Sequence, residues 1–129
     1  MFLINGIEWK IKFVHSASGK LMRSSLAVTD WNDRAIYVSD KPKNGYLRKI
    51  LAHELCHCFC FSYNIHMPIE QEEYLADWIS LYGTDLIYLL DDLMANIDWI
   101  DELNKSDYAA KALLFTSENF RKNFRSPLP

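Results

Sequence analysis

The chain has 129 residues, half of them apolar and 24% charged, with only four glycines and four prolines. This is one globular domain's worth, and it excludes collagen-like and low-complexity classes. The net charge of −3 is unevenly spread: nine Lys/Arg face four Asp/Glu from Met1 to Lys49, none face eleven from Ile50 to Asn104, and five face two from Lys105 onward. An acidic centre repels phosphates, so nucleic acid is not expected there; the charge pattern suits a cation site and, equally, helix faces solvated by acids.

No apolar run approaches the ~20 residues of a membrane span. Asn5, Glu8, Lys10 and Lys12 break up the N-terminal segment, so no signal-peptide core is expected. The three cysteines are Cys56, Cys58 and Cys60. An odd number packed into five residues leaves no disulfide framework and predicts a reducing, cytoplasmic location.

In chain order, Phe2 to Ile4, Asn5-Gly6 and Ile7 to Val14 predict a β-hairpin, because Asn-Gly supplies the two positive φ angles of a type I′ turn. Ile7, Trp9, Ile11 and Phe13 alternate with Glu8, Lys10 and Lys12, as a strand with one buried face would. His15 to Lys20 is a polar loop. Leu21 to Val28 and Ala35 to Ser39 predict two further strands joined by a turn around Thr29 to Asp33. Beyond Gly45 the period changes from two to about 3.6. Leu47, Ile50, Leu51, Leu55 and Phe59 mark a helix from Tyr46 to Phe61. A second runs from Ile69, just after Pro68, to Tyr82, with a continuation past Gly83 to Met94 left open. A third is expected between Ser106 and Asn123. The expectation is a single α+β domain over residues 1–129, a small antiparallel N-terminal sheet followed by a helical part.

The chemistry sits in the first helix. His53-Glu54-Leu55-Cys56-His57 is HExxH. A shuffled chain of this composition would contain the pattern only ~0.007 times, so its false-positive risk is low. Residues i and i+4 are ~40° apart around a helix and ~6 Å along it, so both imidazoles can reach one zinc ion. Glu54 is rotated ~100° from His53 and stands beside the metal, where a base for an attacking water is needed.

A third ligand must come from elsewhere. Cys60 and Tyr63 occupy the positions where HExxHxxGxxH would have Gly and His, which closes the metzincin route. In an antiparallel helical hairpin turning at Ser62 to Pro68, His57 is level with Glu73, and His53 with Asp77. Glu73, Ala76, Asp77 and Ser80 share one stripe, whose small residues permit a close approach. Leu75, Trp78, Ile79 and Tyr82 form the apolar face. Glu73 is therefore the expected ligand, with Asp77 accepting the free ring N–H of a ligating histidine. Glu70 and Glu72 read as surface acids that complement the helix dipole. Asp85, in Gly83-Thr84-Asp85, is a rival ligand. Cys56 and Cys60 read as small buried fillers where the helices meet, with thiolate metal binding or redox sensing as the alternative. His66, Tyr63 and Tyr82 are candidate oxyanion donors. His15 reads as a loop histidine, and Arg121, Lys122 and Arg125 as a solvated helix end.

HExxH, preceded by Leu47-x-x-Ile50-Leu51-Ala52 and followed by Glu73-Tyr74-Leu75-Ala76-Asp77-Trp78-Ile79, resembles the ImmA/IrrE family of zinc metallopeptidases, small members of which occur in phages and other mobile elements. Glu73, Ala76 and Asp77 match a second motif similar to E-x-E-A-[DN]-x-F-A; Leu75, Ile79 and Ser80 depart from it. The resemblance runs from Ala35 to Tyr82. It implies a compact, gluzincin-like α+β fold and site-specific cleavage of a cytosolic protein partner, often a helix-turn-helix repressor. The expected function is thus a zinc-dependent endopeptidase, with Ala35 to Ser39 as an edge strand that pairs with extended substrate. Two other readings stand beside it: a catalytically silent metal-stabilised adaptor, and a SprT-like peptidase acting on DNA-associated protein.

Overall fold

The computed structural model describes residues 1–15, 21 and 25–105. Its elements are strands β1 (Phe2–Ile4), β2 (Ile7–Val14), β3 (Ala27–Asp30) and β4 (Ala35–Ser39), then helices α1 (Asn44–Ser62), α2 (Ile69–Ala95) and α3 (Ile97–Lys105). This is the α+β class expected. The described chain divides into two units, the first Met1–Leu81 and the second beginning at Tyr82.

The Asn5-Gly6 hairpin forms as its turn chemistry requires. Both residues have positive φ, 49° and 77°, and Ile4 pairs with Ile7 across the turn. The expectation of an all-antiparallel sheet is corrected: the strand order is β1-β2-β4-β3, and β4 runs parallel to β2. The reason lies in β4. All five of its residues are buried, so it belongs in the interior, as parallel strands do. The third strand runs from Ala27 to Asp30, two residues beyond the expected end at Val28; residues 22–24 of the expected strand lie outside the described residues. It ends in a turn where Asp30 Oδ1 accepts the backbone N–H groups of Asn32 and Asp33. That turn lays β3 antiparallel to β4 on the side away from β2. The edges of the described sheet are therefore β1 and β3, and the expected edge role of Ala35 to Ser39 does not hold.

One face of the sheet meets α1. Ile4, Trp9, Ile36, Val38 and Cys58 form the core, with Leu47, Ile50, Leu51 and Leu55 packed against it. Ile11 and Phe13 share the alternation of Trp9 but are exposed, Phe13 by 57%. They lie beyond the reach of β1, whose pairing stops at Trp9. Trp9 Nε1 donates to Ser62 Oγ and Asn5 Nδ2 to the Ser62 carbonyl, both at 2.9 Å, so the hairpin grips the end of α1.

α1 ends in a Schellman arrangement. Asn64 has φ 56°, Ile65 N–H donates to the Cys60 carbonyl and Asn64 N–H to that of Phe61. This turn delivers α2 onto the second face of α1, where Cys56, Cys60 and Ala76 are buried together with Met67, Leu75 and Ile79 around them. Trp78 and Tyr82, expected on this apolar face, are instead exposed.

In the second unit, α2 passes Gly83 without a break and ends at Ala95. α3, which the sequence reading did not foresee, follows directly, with Asp98 in its first turn and a Lys105–Asp101 ion pair at 2.9 Å in its last. The helix expected between Ser106 and Asn123, and the Arg121, Lys122 and Arg125 cluster, lie outside the described residues. No helix among the described residues is long and apolar enough to cross a membrane.

Candidate metal centre

His53 and His57 project from α1 one turn apart, and their Nε2 atoms lie 3.3 Å from each other. Glu73 on α2 straddles them. Its Oε2 is 3.1 Å from His53 Nε2 and its Oε1 is 3.1 Å from His57 Nε2. The opposite nitrogen of each ring is held by another α2 carboxylate: His57 Nδ1 by Glu72 Oε2 at 2.6 Å, His53 Nδ1 by Asp77 Oδ1 at 2.9 Å.

These outer contacts fix the chemistry of the inner ones. A carboxylate can only accept, so each Nδ1 carries the proton. In that tautomer both Nε2 atoms and the Glu73 carboxylate face one point, the arrangement of donor atoms that a metal ion would fit.

Glu54 sits beside this point, buried under β3. Thr29 Oγ1 donates to its Oε1 at 3.1 Å. Burial pushes the Glu54 carboxyl above the ordinary carboxylate range; the Thr29 hydroxyl and the nearby imidazoles work against that rise. Donor atoms of His53, Glu54 and His57 all lie within 4.8 Å of one another, and this cluster could hold a metal ion. Glu73, at 3.1 Å from each imidazole, approaches the histidines more closely than that.

A cleft of about 330 Å³ opens over the cluster. β3 lines one side with Ala27, Val28 and Thr29; Trp31 and Ile69 line the end near His57. The Trp31 ring meets His57 edge-on and stacks on Phe61, whose face also carries the Arg34 guanidinium.

The structure thus brings together His53, Glu54, His57, Glu73 and Asp77. Tyr63 and His66 are exposed and do not line the cleft. Tyr82 and Asp85 fall in the second unit. The sequence reading of Glu72 as a surface acid is corrected: it is 9% exposed and is the tighter of the two histidine-holding carboxylates. Counting helical angles from Glu73 rotates Glu72 away from the metal, but an imidazole has two nitrogens, and Glu72 meets the outer one. Thr29 and Trp31 were missed as well, since no spacing rule links a strand residue to a helix 25 positions later.

The cysteines are buried. Cys56 and Cys60 pack against Ala76, and Cys60 shares a hydrogen bond with Glu72. Cys58 faces the sheet. Burial pushes the Cys56 and Cys58 thiols up to about 12 and raises that of Cys60.

Comparison of the chain with family models, with curated proteins and with solved structures gives no match.

Proposed function

We propose that this chain is a zinc metallopeptidase that hydrolyses a peptide bond in a specific cytosolic protein partner, with His53, His57 and Glu73 as the metal ligands and Glu54 as the general base. The observation that carries the reading is the triangle formed by His53 Nε2, His57 Nε2 and the Glu73 carboxylate. Tetrahedral zinc with bonds of 2.0–2.1 Å separates neighbouring ligand atoms by ~3.3 Å. The two Nε2 atoms are 3.3 Å apart and Glu73 oxygens lie 3.1 Å from each. Two imidazoles and one carboxylate are the donor set of catalytic rather than structural zinc. Bound there, the ion would supply Lewis acidity towards a peptide carbonyl and make water acidic enough to lose a proton near neutral pH.

The rest falls to side chains of the chain itself. Glu72 and Asp77 hold the two rings in the tautomer that ligates. Thr29 anchors one oxygen of Glu54, which leaves the other free to take a proton from the attacking water and return it to the departing amine. β3, one of the two edges of the described sheet, lines the cleft and offers backbone groups to an extended peptide. A helix-turn-helix repressor of a phage or mobile element is the partner the motif resemblance points to.

The test is elemental analysis of purified protein, followed by cleavage of the cognate partner. One zinc per chain is expected, retained in Glu54→Gln and lost in Glu73→Ala. Full zinc in Glu73→Ala would refute the ligand assignment. Equal cleavage by wild type and Glu54→Gln would refute the base. Zinc and partner binding without cleavage by wild type would leave an adaptor.

A further inference from the structure

The cleft over the histidines does not end at His53. A second recess of about 400 Å³ adjoins it and shares Ser25, Ala27, His53 and Glu54 with it. Leu26, Ile50 and Leu81 give this recess apolar walls, and Tyr46 and Lys49 complete its α1 side. Lys49 precedes His53 by four residues, so the two share a face of α1. The Lys49 carbonyl accepts from Ser80 Oγ at 2.8 Å, which ties this turn of α1 to α2.

Charge distinguishes the recess from the metal cleft. Among the described residues that line it, Lys49 is the one Lys or Arg, and no ion pair among the described residues engages it. From Lys41 to His53 the sequence has four Lys/Arg and no acid, and the first turn of α1 carries no acid to offset its positive end. Glu54, the one acid among the described lining residues, is engaged by Thr29.

We propose that this recess receives the side chain next to the scissile bond and selects glutamate, its methylene stem lying against Leu26 and Ile50 and its carboxylate meeting the Lys49 ammonium. The assignment rests on the peptidase reading, because it takes a peptide group held at His53 and His57 as the anchor. Lys49 is then a specificity residue that touches substrate but not the reacting atoms.

The test uses the zinc-loaded full chain and three short peptide hydroxamates, identical except that the residue beside the chelating group is glutamate, glutamine or lysine. Binding is measured by calorimetry. The pair is solvent-exposed, so the expected preference for glutamate over glutamine is about three- to fivefold, with lysine weakest, and it shrinks as salt rises. Lys49→Met removes the preference, and Lys49→Glu inverts it towards lysine. A glycine hydroxamate that binds all three proteins equally shows that zinc and fold are intact. An unchanged glutamate preference in Lys49→Met, no preference in wild type, or failure of every hydroxamate to bind zinc-loaded protein would each overturn the proposal. If the preference is present but no glutamate-containing synthetic peptide is cleaved, the peptidase reading fails, and the recess is a carboxylate-selective pocket beside the metal rather than one for the residue next to a scissile bond.

Discussion

Replacing Glu72 by alanine is expected to weaken zinc binding by about 10- to 100-fold, although Glu72 is not a ligand. Two routes give the magnitude. Losing the carboxylate that orients a ligating histidine typically costs 10–100-fold in metal affinity, which is ~1.4–2.7 kcal/mol. Independently, a hydrogen bond to a charged group contributes ~1.5–3 kcal/mol, and the His57–Glu72 contact is short, at 2.6 Å, between side chains 7% and 11% exposed. Water has little access to replace the lost acceptor. Glu72→Gln keeps an acceptor oxygen without the charge and is expected to fall between alanine and wild type. Glu70→Ala is the control, since Glu70 is an exposed first-turn acid. The assay is zinc competition against a chromophoric chelator at fixed pH, with circular dichroism to verify folding. Equal affinity in wild type and folded Glu72→Ala would refute the idea that the outer nitrogen of His57 needs its carboxylate.

Glu54→Gln is expected to keep its zinc and lose about 10²–10⁴ in cleavage rate, measured on the cognate partner by gel or mass spectrometry. Ser62→Ala strands the indole N–H of Trp9, which is 1% exposed, and is expected to cost ~1–3 kcal/mol in urea unfolding. The three cysteines are expected to resist iodoacetamide in the native protein and to react once it is denatured, because all are buried and their thiols are held protonated. Stability should fall on the alkaline side for the same reason. An unfolded cysteine loses its proton near ~8.5, while burial holds Cys58 protonated up to about 12. In that window the native state binds more protons, so rising pH favours unfolding, and below it the contribution is fully present. A melting temperature that falls no faster above pH 9 in wild type than in Cys58→Ala would contradict this.

Much of the site was legible because helices translate sequence spacing into space by fixed angles. HExxH gave His53, Glu54 and His57, and counting depth from the hairpin end gave Glu73 and Asp77, which the structure places within 3.1 Å of the rings. Asn5-Gly6 was legible because few residues tolerate positive φ. The sheet was less so. The alternation along β2 says which side chains share a face but not which strand lies beside it, and the order of strands along the chain does not give their order in the sheet. Its apolar run Ala35-Ile36-Tyr37-Val38 was the available signal for an interior strand. Glu72 stayed hidden because an acid in a helix's first turn is sufficiently accounted for by the helix dipole, and its angle off the Glu73 stripe does not show that it meets the outer nitrogen of His57.

Thr29 belongs at once to an edge strand and to the base, and this has a consequence for where cuts fall. Along β3, successive residues alternate between the two faces, and Thr29 points its hydroxyl inward to Glu54. A peptide paired with this edge keeps its hydrogen bonds only if it slips by two residues, because a one-residue slip reverses every side chain. Secondary cleavage products should therefore lie two residues from the main cut, with the adjacent bond spared. The strand acts as a ruler whose graduations are dipeptides.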